Sequence, residues 1–129
     1  MLLAEKKYTQ ALRDVCESID YAFTIKAFRG LYGFHDPWFD YGSMERCFTH
    51  MENPYKAAFR LLHLGAGVEE ASLAEEIGQE AIDLLIESGL WYREGDLIQT
   101  NNYVVIPYQG LLLVVLLVQY SVQVPLQHT

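Results

Sequence analysis

Apolar side chains recur three or four apart through much of the first ninety residues, then give way to imperfect alternation and finally to an unbroken apolar run. The most informative stretch is residues 59–96. Phe59, Leu61, Leu62 and Leu64 fall on one helical face, and Gly65-Ala66-Gly67 ends that helix with residues that tolerate a left-handed backbone. A second helix follows Val68, with Leu73 and Ile77 four apart and acidic residues near its N-terminal end, where the helix dipole favours them. Gly78 stops it. A third helix over residues 79–88 carries Ile82, Leu85 and Ile86 at spacings of three and four, with Ser88-Gly89 at its C-cap and Leu90-Trp91 packing where the chain leaves it. Residues 92–96 (Tyr-Arg-Glu-Gly-Asp) read as a hairpin turn, residues 97–106 as a strand, Pro107-Tyr108-Gln109-Gly110 as a turn, and residues 111–118 as a second strand, buried on both faces or covered by another domain. Helix, turn, helix, glycine stop, then a polar hairpin before an apolar strand is the order of a winged-helix domain.

Ahead of this core, Tyr8, Leu12, Val15, Ile19, Ala22 and Phe23 keep helical spacing over residues 2–29. They predict one long amphipathic helix or two joined near Asp20, broken by Gly30 and Gly33. Residues 31–42 are dense in aromatics and turn formers and predict an ordered aromatic loop. Ser43 is the expected cap of a helix over residues 44–51, and Pro54 is expected in the first turn of the helix that carries Tyr55, Ala58, Phe59 and Leu62.

The 129 residues, 51% apolar and 13% aromatic, suit one domain with a real core. Charge is unevenly placed: residues 1–60 hold eight basic and eight acidic side chains, whereas residues 61–129 hold nine acidic ones and Arg93 alone. The whole net charge of −8 therefore lies on the winged-helix-like half. A nucleic-acid-binding winged helix needs cations on its recognition helix and wing. Here that helix offers Glu80, Asp83 and Glu87, so repulsion argues against DNA binding. Cys16 and Cys47 lie far apart with no CxxC, which points to a reduced, cytoplasmic setting. The start, MLLAEKKYTQ, lacks the apolar core of a signal peptide, and residues 111–118 are too few for a membrane helix, which needs about 20.

Candidate chemistry is sparse. Cys47-x-x-His50, with His35, His63 and Cys16 elsewhere, is the only loosely metal-like grouping, and zinc requires four converging ligands. His35-Asp36 are adjacent in a turn with no nucleophile beside them. Glu69-Glu70 and Glu75-Glu76 read as a solvated helix face. Tyr32, Phe34, Trp38, Phe39 and Tyr41 read as a loop stapled to the core in preference to a pocket for a flat ligand. Gly65-Ala66-Gly67 lacks the preceding strand of a dinucleotide-binding loop. No catalytic, cofactor-binding or metal-ligating residue is assigned. The apolar run of residues 111–118 exposes an edge unless another domain or a second copy packs on it.

Residues 58–115 resemble the accessory domain that precedes the catalytic domain in a group of bacterial class I S-adenosylmethionine-dependent methyltransferases, the "methyltransferase small" type. The matching features are Leu61-Leu62-His63-Leu64-Gly65, Val68, Leu73 and Gly78, the apolar helix ending at Gly89-Leu90, Glu94-Gly95-Asp96, Pro107-Tyr108 and residues 111–115. The resemblance covers a little under half the chain. It implies a noncatalytic, winged-helix-like domain, or a truncated fragment of such an enzyme, that supports or orients substrate for an absent catalytic domain. S-adenosylmethionine is then the parent protein's cofactor and none belongs to these residues, because the glycine loop and the asparagine-proline-proline motif of such enzymes are missing. Residues 118–129 depart from the family's continuation.

The expected fold is α+β, mainly α, in a single domain: N-terminal helices and an aromatic loop over residues 1–53, a winged-helix-like three-helix core with a C-terminal β-hairpin over residues 54–118, and a tail over 119–129. The expected partner is a catalytic domain or protein on the C-terminal strand, with no membrane and no nucleic acid on the acidic helix. The alternative is a winged-helix interaction or homodimerisation module without enzymatic activity.

Overall fold

In the computed structural model, which describes residues 1–32 and 54–116, the chain opens with two helices, α1 (Lys6–Ser18) and α2 (Tyr21–Tyr32). The N-terminal periodicity thus resolves into two helices and not one. They meet at Asp20, whose φ of 55° is a left-handed conformation that aspartate tolerates better than most residues. Tyr8, Ala11, Leu12, Val15 and Cys16 form the buried stripe of α1, and Tyr21 and Ile25 that of α2. Gly30 does not end α2; the helix runs through it and through Leu31 and Tyr32, which were expected in the aromatic loop. A glycine inside a helix costs only about 1 kcal/mol, which the surrounding ladder offsets. The rest of that loop, the Ser43-capped helix and the tail over 119–129 lie outside the described residues.

Pro54 sits just ahead of α3 (Lys56–Phe59), which passes directly into a π-helical turn, Arg60–Leu64. The wider turn brings four consecutive side chains, Leu61, Leu62, His63 and Leu64, into the interior, where an α-helical stripe would leave at least one outside. Gly65 closes it at φ 71°, and the following N–H, that of Ala66, reaches back to the Arg60 carbonyl at 3.1 Å.

Strand β1 (Val68–Glu69) leads into α4 (Glu70–Ile77) and α5 (Gln79–Glu87), then β2 (Trp91–Glu94) and β3 (Leu97–Thr100). The three short strands make one antiparallel sheet in the order β1-β3-β2, with Val68 opposite Ile98 and Glu94 opposite Leu97. Gly78 is the only residue between α4 and α5 and belongs to both. Its N–H donates to the Ala74 carbonyl at 2.9 Å, and its own carbonyl accepts from the Ile82 N–H at 3.5 Å. Leu73, Ile82, Leu85, Leu90, Trp91 and Ile98 all join the core cluster built on α1, α2 and α3. The C-cap at Ser88-Gly89 lies where the spacing placed it, and the Ser88 hydroxyl holds it by donating to the Leu85 carbonyl at 2.7 Å and accepting from the Leu90 N–H at 3.1 Å.

The strand expected over residues 97–106 is two strands in two sheets. Beyond β3 the chain turns at Asn101-Asn102, with Asn102 at φ 65°, and begins β4 (Tyr103–Tyr108), which pairs only with β5 (Leu111–Leu116) among the described residues. Three polar side-chain bonds hold the break: Thr100 Oγ1 donates to the Tyr103 carbonyl and accepts from the Tyr103 N–H, and Asn101 Nδ2 donates to the Gly89 carbonyl. Pro107 and Tyr108, expected in a turn, are strand residues; the turn is Gln109-Gly110, both at positive φ as a two-residue I′ loop requires. The fold is α+β. Among the described residues no helix is long and apolar enough to cross a membrane.

Candidate functional site

Three features of the surface and core bear on function: an acidic face over α4, α5 and the small sheet, an apolar arm made by β4 and β5, and a groove between that arm and the first two helices.

On the acidic face, Arg93 of β2 reaches both helices. Its Nε donates to Glu70 Oε1 at 3.0 Å and its Nη2 to Asp83 Oδ1 at 2.7 Å, while Gln79 Nε2 donates to both carboxylates. The hydrogen bonds from Arg93 and Gln79 hold both carboxyls below their ordinary values, and the two carboxylates raise the guanidinium further above its own. The cation of this half is therefore spent on internal carboxylates. Glu69, Glu75, Glu80, Glu87, Glu94 and Asp96 remain exposed around it, which leaves this face net negative.

Glu70 and Glu76 correct the expectation of a merely solvated acidic face, since both are half-buried and tie elements together. Glu76, in the last turn of α4, accepts from the Ala57 and Ala58 N–H groups at 3.1 and 2.8 Å, capping the start of α3 from another helix. Burial pushes its carboxyl up, against the pull of those two backbone donors. A glutamate in a last helical turn is misplaced with respect to its own dipole, and that misplacement was the available signal for a distant partner.

The β4–β5 arm has two apolar faces. Tyr103, Val105, Leu112 and Val114 turn toward the core. The other face pairs Tyr108 with Leu111, Ile106 with Leu113 and Val104 with Val115. Val104 is buried, but toward the tip Leu111 is 63% exposed, Tyr108 48% and Leu113 42%. Beneath the tip, a groove of about 1040 Å³ runs along α1 and α2, floored by Leu12, Cys16, Tyr21 and Ile25.

The inner face of the arm is anchored by Tyr21, which sequence reasoning passed over. Its ring, fully buried, stacks on Phe59 with centroids 5.4 Å apart. Its hydroxyl donates to the Val105 carbonyl of β4 and lies 3.4 Å from His63 Nδ1 on the π-turn. One phenol thus joins α2, the π-turn and the arm. No spacing rule marks it, since it opens its helix next to Asp20 and its partners lie 42 and 84 residues away.

His63 is a core residue and Cys16 lies at the floor of the groove, its thiol pushed up to about 12 by burial. Among the described residues no three His, Cys, Asp or Glu side chains converge as a metal site would require. His35, Asp36, Trp38, Phe39, Tyr41, Cys47 and His50 lie outside the described residues. Gly67 of the glycine pair faces Gln99, whose Oε1 lies 2.5 Å from where a Cβ would be, so that close approach serves a contact within the small sheet's surroundings. No protein-family model, curated protein or solved structure matches the chain.

Proposed function

We propose that this chain is a noncatalytic winged-helix-type domain that supports a neighbouring catalytic domain, of the kind found in the S-adenosylmethionine-dependent methyltransferases that residues 58–115 resemble. The order α3, β1, α4, α5, β2, β3, with a β1-β3-β2 sheet, supports the winged-helix assignment. The acidic surface of α5 argues for a protein neighbour and against nucleic acid. The protein works in the cytoplasm, where the buried Cys16 stays a thiol.

The observation that carries the proposal is the exposed outer face of the arm at Tyr108, Leu111 and Leu113. Fully burying a large apolar side chain contributes about 1.5–3 kcal/mol, so covering these three half-exposed ones is worth roughly 3 kcal/mol. Association of separate molecules costs an estimated ~4–15 kcal/mol in lost freedom. A domain joined through the same chain escapes most of that cost. The same magnitudes disfavour the alternative, a self-associating module built on the arm alone.

The test is to sequence the coding DNA adjoining the codon for Thr129 and to titrate the 129-residue chain with S-adenosylmethionine by calorimetry. The expected result is an adjoining frame with a glycine loop and an acidic-ended strand, and no heat of binding from this chain. Tight cofactor binding by the chain itself, or adjoining DNA with no such domain, would overturn the proposal. Sedimentation over a wide concentration range separates the two readings: a concentration-dependent dimer would favour self-association.

A further inference from the structure

We draw no further inference here: the strongest candidate, the groove between α1, α2 and the tip of the β4–β5 arm, has an apolar floor and a rim on which Arg13 and Lys26 are balanced by Glu17 and Asp20, so that its charge selects no class of ligand and nothing in the structure shows what covers it.

Discussion

Gly78→Ala isolates the backbone cost of the junction between α4 and α5. Gly78 has φ 89° and ψ 149°, a region that only glycine enters without strain. A Cβ at this position meets nothing within 4 Å, so no steric overlap with a neighbour confuses the outcome. Holding an alanine there costs about 1–3 kcal/mol, and the smaller conformational freedom of alanine in the unfolded chain returns about 0.4–1 kcal/mol. The central values give an expected net loss of about 1.3 kcal/mol, within a range of ~0–2.6 kcal/mol. The strain cannot be relieved locally, because the Gly78 N–H ends α4 and its carbonyl begins α5, and Leu73, Ile82 and Leu85 fix both helices in the core. Urea unfolding followed by far-ultraviolet circular dichroism measures it, with the midpoint falling and the slope unchanged. A midpoint equal to or above the parent's would show that the two helices can re-pack around a new junction, and the account of this corner would fail.

Tyr21→Phe removes the hydroxyl that holds the Val105 carbonyl while leaving the ring on Phe59. It is expected to cost about 1–3 kcal/mol, with amide exchange quickening first in β4 and β5; uniform quickening across the chain would deny Tyr21 its role as the arm's anchor. Glu76 has a folded-state carboxyl raised above the ordinary glutamate value, so the folded state takes up its proton first. The stability this group contributes is therefore full below that ordinary value and is lost as pH rises through the raised one. Glu76→Gln should flatten that part of the stability-against-pH curve, and an unchanged curve would place the titration elsewhere. Glu70 and Asp83 have the opposite sign, their contribution being present above the ordinary carboxylate values and lost as pH falls through the depressed ones. Arg93→Met should weaken that acid-side dependence and its sensitivity to salt, as read from urea midpoints, while the part held by Gln79 persists. In a Cys47→Ser background, iodoacetamide at pH 8 should label Cys16 only slowly in the folded chain and quickly in urea, because burial keeps the thiol protonated with its value at about 12. Fast labelling of the folded chain would mean that the groove floor opens.

Much of the architecture was written in local patterns. The stripe of α1, the glycine ends of the π-turn and of α4 and the Ser88-Gly89 cap each depend on residues within one or two turns of one another, and such interactions can be read in a linear order. The turn expected over residues 92–96 is only Gly95-Asp96, since Tyr92, Arg93 and Glu94 pair with β3 as strand residues of β2. Arg93 as the lone Lys or Arg of residues 61–129 was legible in the same way, before any coordinates. What the chain's pattern did not reveal was how each piece is held to a distant one. The π-turn places His63 and Leu64 in the interior together with Leu61 and Leu62, an arrangement that no helical stripe announces. The strand over residues 97–106 divides because Thr100 and Asn101 find backbone partners at the end of α5 and the start of β4. Glu76 and Tyr21 gain their roles from groups 18 to 84 residues away. Periodicity reports which face of an element avoids water; which element covers that face, and which buried polar atom answers which, is decided only when the whole core closes, since the cost of an unsatisfied buried group is set by its final neighbours and not by its place in the sequence.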